Sequence, residues 1–419
     1  MIKIPKIQWV IAALLCLATM INYADRLTLS MVSVDIRSEF GLSEQDYSYI
    51  LTLFLLAYAV MYAVSGYIVD RLGTRRGFAV FIFGWSLAQL LHAFAFGKWS
   101  LAGCRFLLGL CEPANWPAAA KAVSEWYPAS QRALIVGIFN AGSSLGSAIA
   151  PPMVAYIAVS YGWRAAFIFT GGMGLVWMVL WLIIYEPPAR NRWLRPEDAP
   201  KLEELAPPAP KVKPDWRKVI ATRECYTLII ARFFTDPVIY FIIFWLPEYL
   251  RKERAFNLAD VGKYAWVPFV IGGVGYTLGG WLSGHLMERG WTLPRSRKMI
   301  MGIGAACLPV SIFAPLVPNA ALAIAATSFA TFGHGFWVAN LQTLPTDLFV
   351  GSEVGTAMGF SGMGGAVGGM IANLGTGYIV AHYSYAPVFL MAGLMHPLSA
   401  FLVYWLLPDR YFHIRVHSR

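Results

Sequence analysis

Six charged residues lie inside long apolar runs of this chain: Asp25, Arg26, Arg105, Glu112, Arg232 and Asp236. An ion in a low-dielectric run is costly, so each is retained for a partner or a function. Arg105 and Glu112 are seven residues apart, nearly two turns of an α-helix, so they share one face. Arg232 and Asp236 are four apart, a spacing that suits either a local ion pair or a shared ligand. An arginine presents a planar fork that matches a carboxylate at two points. A carboxylic acid in a dry cavity can take and release a proton under physiological conditions. These residue types, in this setting, suit recognition of an organic anion and movement of protons.

The elements that would position them are membrane helices. The chain has 419 residues, 58% hydrophobic and 13% charged, and a soluble protein carries about twice that charged fraction. Apolar runs of about 20 residues recur along it, long enough to cross a hydrocarbon layer roughly 30 Å thick. Backbone polar groups must be paired internally there, so the runs read as helices. The expected spans are 9–31, 47–69, 77–97, 100–124, 132–158, 164–186, 223–250, 261–286, 298–316, 319–345, 354–381 and 385–407. Lys3 and Lys6 precede the first run in the manner of a signal peptide. No small-residue cleavage site follows, so the run is read as an uncleaved first helix. Residues 187–222 are rich in proline and charge and read as a surface linker. The expected domains are an N-terminal six-helix bundle over 1–186, a cytoplasmic linker over 187–222 and a C-terminal six-helix bundle over 223–419.

The net charge is +10, and the basic residues concentrate in alternate loops. With the N-terminus inside, 22 Lys and Arg fall in inside segments and seven in outside loops, which predicts both termini on the cytoplasmic side. No basic helix with interleaved aromatics suits nucleic acid. The five cysteines (Cys16, Cys104, Cys111, Cys225, Cys307) form no C-x-x-C pair and read as free, packed thiols. His285 and His334 lack partners at metal spacing, so no metal is expected. Gly362, Gly364, Gly365, Gly368 and Gly369 miss the dinucleotide spacing, and no phosphate-binding G-x-x-x-x-G-K-S/T occurs. Small residues at these spacings let membrane helices approach closely. With no nucleophile–base pair, the chain is not expected to be an enzyme.

The stretch Gly66-Tyr67-Ile68-Val69-Asp70-Arg71-Leu72-Gly73-Thr74-Arg75-Arg76 resembles the G-x-x-x-D-R-x-G-R/K-R/K loop signature of the major facilitator superfamily. Gly66 permits close helix approach and Gly73 a tight turn. Asp70 can cap a neighbouring helix or pair with a base, locking one conformation. Gly279 to Gly290 echoes this loop weakly in the second half, as a parallel repeat of six plus six helices would.

Within that superfamily, Arg105 to Ala118 (RFLLGLCEPANWPA), Glu125-Trp126-Tyr127-Pro128, Asn22 to Arg26 (NYADR), Phe139 to Pro152 and Gly162 to Phe167 resemble the anion:cation symporter family. That family includes bacterial hexuronate, galactonate and glucarate transporters and animal vesicular glutamate transporters. Arg232 to Leu250 and Leu344 to Phe349 look most like the hexuronate transporters.

The resemblance implies an all-α membrane protein of twelve transmembrane helices in two six-helix bundles, the major facilitator fold. It implies proton-coupled symport of a sugar-acid anion, foremost a hexuronate such as glucuronate or galacturonate. An aldonate or aldarate, such as galactonate or glucarate, or another small carboxylate is the alternative. By the same resemblance Arg26 contacts the substrate carboxylate, Asp25 and Glu112 take part in proton coupling, Arg105 lies beside the coupling acid and joins the substrate site, and Tyr58 lines the cavity. Gly66, Asp70, Arg71, Gly73 and Arg75 form the conformational loop motif. Asn373 is a candidate for substrate hydroxyls or for an interhelical hydrogen bond. Asn340, Gln342 and Trp337 are weaker candidates. A proton-driven exporter is disfavoured because Gly142-Ser143-Ser144-Leu145-Gly146 departs from the G-P-x-x-G-G of antiporters. A transporter-like receptor is a further alternative. The proton is the expected coupling ion and no other cofactor is expected. The expected setting is a monomer in a bacterial inner membrane, with the lipid bilayer and a small carboxylate as its partners and no nucleic acid.

Overall fold

The computed structural model describes residues 6–194, 215–256, 264 and 266–412. Part of the expected linker (195–214), the start of the expected eighth span and the charges Lys3, Lys263, Arg415 and Arg419 lie outside the described residues. Among the described residues the structure is helical throughout, without strands. In chain order the helices are α1 (Lys6–Met31), α2 (Ser33–Phe40), α3 (Glu44–Leu72), α4 (Thr74–His92), α5 (Lys98–Cys111), α6 (Asn115–Trp126), α7 (Ala129–Tyr161) and α8 (Trp163–Ile184). They continue with α9 (Trp216–Ile220), α10 (Arg223–Glu253), α11 (Val267–Glu288), α12 (Leu293–Cys307), α13 (Ala320–Leu341), α14 (Leu344–Leu348), α15 (Val354–His382) and α16 (Ala386–Leu406).

Each of the twelve expected spans falls on a helix or on two helices in succession. Eight of these stretches are individually long and apolar enough to cross a membrane. The rest have local reasons for falling short. α4 opens on Arg75 and Arg76, α5 is interrupted after Cys111, and α11 and α15 are rich in glycine. Large apolar side chains such as Val159, Leu374, Phe401 and Trp405 stand exposed on the helix surfaces. In hydrocarbon that exposure carries no penalty.

The chain forms two compact units. The first takes Met1–Tyr127, Gly142–Trp216 and Val350–Gly359; the second takes Pro128–Ala141, Arg217–Phe349 and Phe360–Arg419. Two segments therefore pack outside their own half of the sequence. The start of α7 lies on α11, where a Cβ on Gly280 or Gly284 would strike the backbone of Ala133 or Ser130. The start of α15 lies on α3, where a Cβ on Gly66 would strike the Gly355 carbonyl.

Part of the interior of the first unit is an aromatic stack. Trp177 and Trp181 of α8 and Tyr185 just past its end follow one another in stacked contact, with Phe78 of α4 against both tryptophans. Their indole N–H groups are satisfied by backbone, Trp177 on Leu14 O at 2.9 Å and Trp181 on Arg75 O at 3.1 Å, as buried tryptophans require. The second unit has a comparable core around Phe241, Tyr249 and Phe389, whose rings meet edge to face.

At one end of the first unit, polar contacts tie the loops. Glu39 accepts from Trp163 Nε1 at 2.7 Å and from Arg164 Nη2 at 2.7 Å. Ser43 and Asp46 form a reciprocal capping box at the start of α3, and Lys98 pairs with Asp46. The hydrogen bond from Lys98, then those from Ser43, hold the Asp46 carboxyl down at about 2 from an ordinary 3.8. A depressed carboxyl contributes stability above its ordinary value and loses it as pH falls through the folded value. Asp46→Asn should therefore melt below the parent near neutral pH, and the gap should close as pH falls from about 4 toward about 2, as followed by thermal melts in detergent.

Candidate functional site

Glu112 stands where α5 stops. Pro113 has no N–H to continue the hydrogen-bond ladder, and its ring collides with the carbonyl four residues back. The expected single span over 100–124 is accordingly broken by a 3-10 turn at Glu112–Ala114, and α6 restarts at Asn115. Pro117 is tolerated in the first turn of α6, where N–H groups are unpaired in any case. The joint is tied to α1: Asn22 Nδ2 donates to Glu112 O at 3.4 Å, and Asn115 Nδ2 to Thr19 Oγ1 at 3.1 Å.

Arg26 of α1 meets Glu112 there. Its Nε and Nη2 donate to one carboxylate oxygen, Oε2, at 3.2 and 3.0 Å. The guanidinium is enclosed by rings, 4.8 Å from the Tyr58 centroid, 5.1 Å from Tyr23 and 5.8 Å from Phe54. Tyr58 is fixed by Trp116, whose Nε1 donates to its hydroxyl at 3.1 Å. The Glu112 side chain is 0% exposed and the Arg26 side chain 23%, so a ligand reaches the arginine and not the acid. The other Glu112 oxygen, Oε1, has no hydrogen-bond partner.

Asp25 and Arg105 lie behind this pair, both buried. Arg105 packs over the Phe54 ring at 5.7 Å, and its Nε and Nη2 have no acceptor. Its charge acts on both Asp25 and Glu112. Of the two arginines expected in the substrate site, Arg26 is thus the accessible one and Arg105 is enclosed. The first unit brings together Asp25, Arg26, Tyr58, Arg105 and Glu112.

Asn373 belongs to the second unit, on α15. Its Oδ1 accepts from Trp245 Nε1 at 2.8 Å, the interhelical bond that was one of its two expected roles. It lines a cavity of about 210 Å³ with Tyr240, Trp245, Thr376 and several apolar side chains. Arg232 and Asp236 pair with each other on α10, at 2.7 and 2.9 Å. Gln342 accepts from Asn140 at 3.0 Å, Asn340 donates to Gly279 O at 3.3 Å and Phe336 O at 3.0 Å, and Trp337 donates to Thr235 at 3.3 Å. His334 has a partner invisible in the spacing: His396, 3.0 Å away on α16. Among the described residues no group of three or more His, Cys, Asp or Glu could hold a metal ion.

The loop motif is a separate cluster in the first unit. Asp70 takes both roles that its chemistry allows. Its Oδ1 accepts from Lys121 Nζ at 2.7 Å. It also caps α15, accepting from Gly355 N at 3.2 Å, Thr356 N at 2.6 Å and Thr356 Oγ1 at 2.7 Å. Gly73 turns the chain into α4 at φ +80°, in the region that favours glycine. Arg75 donates to Leu182 O at 2.6 Å and pairs with Glu186 at 3.3 Å. Arg71 is exposed and lies 5.5 Å from the Tyr67 ring.

Several partners escaped the sequence reading. Lys121 counted there only as a loop charge, although the small Ala118, Ala119 and Ala120 before it are all buried. Asp347, read as part of a family stretch, is buried in the second unit between Arg297 Nε at 2.9 Å and Arg132 Nη1 at 3.5 Å. Gln89, His92 and Thr170 gave no charge signal at all.

An all-helical membrane fold with a buried arginine–glutamate pair and a capped loop motif defines a solute carrier rather than an enzyme. The chain matches the Major Facilitator Superfamily over residues 15–350 and 295–418, and it belongs to that superfamily. It is 32% identical over 415 residues to the hexuronate transporter of Escherichia coli (strain K12), covering 97% of this chain and 96% of that protein. It is 32% identical over 312 residues to the galacturonate transporter of Dickeya chrysanthemi, covering 73% and 90%. The solved structure of the proton:xylose symporter XylE bound to 6-bromo-6-deoxy-D-glucose superposes with a TM-score of 0.74 at 16% identity, covering 96% of both chains; it shares the fold.

Replacing Asp70 by alanine strips the cap from α15 and leaves a buried lysine unpaired. Breaking a buried pair costs about 3–5 kcal/mol, and a lost cap about 1 kcal/mol. Asp70→Ala should lower the unfolding temperature sharply, and Asp70→Asn, which keeps an acceptor for Gly355 and Thr356, should lower it less.

Proposed function

We propose that this protein is a proton-coupled symporter that imports a sugar-acid anion, foremost a hexuronate such as glucuronate or galacturonate. The observation that carries the reading is the Arg26–Glu112 pair. One arginine is occupied by one internal carboxylate, and a substrate carboxylate would need the same arginine. Protonating Glu112 removes its charge and frees the Arg26 fork. The substrate then takes the place of the glutamate, in the bidentate geometry that arginine favours. Binding of substrate and proton are thereby linked, and linkage is reciprocal. After the site opens inward, the higher internal pH removes the proton, Glu112 reclaims Arg26 and the substrate leaves.

Asp25 is the second acid of this scheme, and Arg105 balances both acids from behind. Tyr58, with Phe54 and Tyr23, holds the arginine in place. Asn373 is a hydrogen-bonding group for substrate hydroxyls. The Asp70 cluster stabilises one conformation of the transport cycle. The proposed setting is a monomer in a bacterial inner membrane with both termini cytoplasmic, built as two six-helix bundles joined by a cytoplasmic linker, with the proton as its only coupling ion. The named activities of the relatives and the accessible cation support the sugar-acid assignment.

The test is counterflow of labelled glucuronate in proteoliposomes, competed by galacturonate, galactonate, glucarate and glutamate. Wild type should exchange glucuronate. Glu112→Gln should still exchange it but fail to accumulate it under a pH gradient. Arg26→Ala should lose exchange by about two orders of magnitude, the consequence of deleting a charged hydrogen-bonding partner worth roughly 3 kcal/mol. Exchange of galactonate or glucarate in place of glucuronate moves the assignment to the aldonate or aldarate class, and absence of all sugar-acid exchange overturns it.

A further inference from the structure

Behind the ion pair, α4 carries two fully buried polar side chains that anion binding does not explain, Gln89 and His92. Three residues apart, they share one face of the helix. The Gln89 amide joins α1 to α8, donating to Asp25 O at 3.2 Å and to Thr170 Oγ1 at 2.9 Å. His92 stacks on Phe167 with centroids 4.9 Å apart and planes at 7°. Its Nδ1 lies 2.7 Å from Ala88 O. A carbonyl only accepts, so Nδ1 carries the hydrogen and Nε2 of the neutral ring holds a bare lone pair.

That nitrogen has no partner, and other buried polar atoms on α4 and α5 share the condition. Oε1 of Gln89, and Nε and Nη2 of Arg105, are likewise buried and without a hydrogen bond. Thr170 faces the Asp25 carboxylate, and the Arg105 charge acts on His92 as well as on Asp25. A bare buried polar atom costs about 1–3 kcal/mol. Unmatched donors and acceptors from α4 and α5 are the lining that buried water requires.

We propose that Asp25, Gln89, His92, Arg105 and Thr170 enclose a hydrated pocket in which His92 relays a proton to the Asp25 carboxylate. A proton from outer water bonds to Nε2, giving an imidazolium. The Nε2–H then passes through water to an Asp25 oxygen, leaving a neutral imidazole and a carboxylic acid. No other bond changes. His92 closes α4, next to the exposed Phe94 and Phe96, so it lies on the entry side in the orientation that the loop charges favour. The charge that acts on His92 is that of Arg105 from α5; Arg105 in turn feels Glu112 from the turn after α5, Tyr47 of α3, and Arg26 and Asp25 of α1, while α8 offers the uncharged Phe167 and Thr170. The relay rests on the coupling role proposed for Asp25.

Two substitutions test it. His92→Phe keeps the stacking on Phe167, and His92→Asn keeps a donor near Ala88 O; both remove Nε2. In proteoliposomes each should retain counterflow within about twofold, while pH-gradient-driven accumulation falls about tenfold and its dependence on external pH flattens. Accumulation equal to wild type, or equal loss of counterflow and accumulation, overturns the relay. If neither variant folds, Gln89→Leu carries the test with the same expected split and the same contradicting results. A readout without substrate separates failure here from failure of the sugar-acid reading. After a stopped-flow acid jump, the proton uptake that Asp25→Asn abolishes should slow about tenfold in the His92 variants, and unchanged uptake overturns the relay whatever solute is carried.

Discussion

A carboxylate taken out of water must find a cation or give up its charge, and the centre of the first unit is organised by that constraint. Glu112 is wholly enclosed and its charge is met by Arg26, at 3.0 and 3.2 Å. Pro113 ends the helix at Glu112 itself, Asn22 and Asn115 tie the joint to α1, and three rings brace the arginine. With Asp25 and Arg105 included, two acids stand with two bases. Such a cluster is neutral when empty. An added carboxylate would leave one excess negative charge in low dielectric, at a cost of several kcal/mol, and one proton removes it. In the proposed symport, coupling would follow from this charge balance.

The same constraint recurs at two other buried acids. Asp70 is satisfied by Lys121 and by the first N–H groups of α15; Asp347 is satisfied by Arg297 and Arg132. Asp70 in the first unit and Asp347 in the second are thus each buried against a base drawn from another helix. Such pairs are weak contributors to net stability but strict about geometry, since a displaced partner strands a buried charge. Close approach of glycines supports them: Gly66 lies against the backbone of Gly355, the residue next to the Thr356 donor.

Much of this was legible in the sequence because it depends on chain-local signals. The apolar runs located the spans, and the few charges within them located Asp25, Arg26, Arg105 and Glu112. The Gly66–Arg76 motif announced a capping role that Asp70 fulfils. The break after Cys111 was written in Pro113, but a hydropathy reading runs through a single proline. What stayed hidden was long-range pairing of ordinary residues. Lys121 with Asp70, His334 with His396 and Gln89 with Thr170 are separated by 51, 62 and 81 positions, and no local pattern marks them. The packing of the starts of α7 and α15 with the opposite half of the sequence is likewise a property of the fold.

The exchange of Glu112 for a substrate carboxylate on Arg26 is tested most directly by proton uptake during binding. Glucuronate would be titrated into the purified protein calorimetrically at mildly alkaline pH, in two buffers of different ionisation enthalpy. The account predicts that wild type takes up a proton as glucuronate binds, and that Glu112→Gln binds at least as tightly with that uptake lost. Unchanged proton uptake in Glu112→Gln, or binding weakened as severely as by Arg26→Ala, would contradict it.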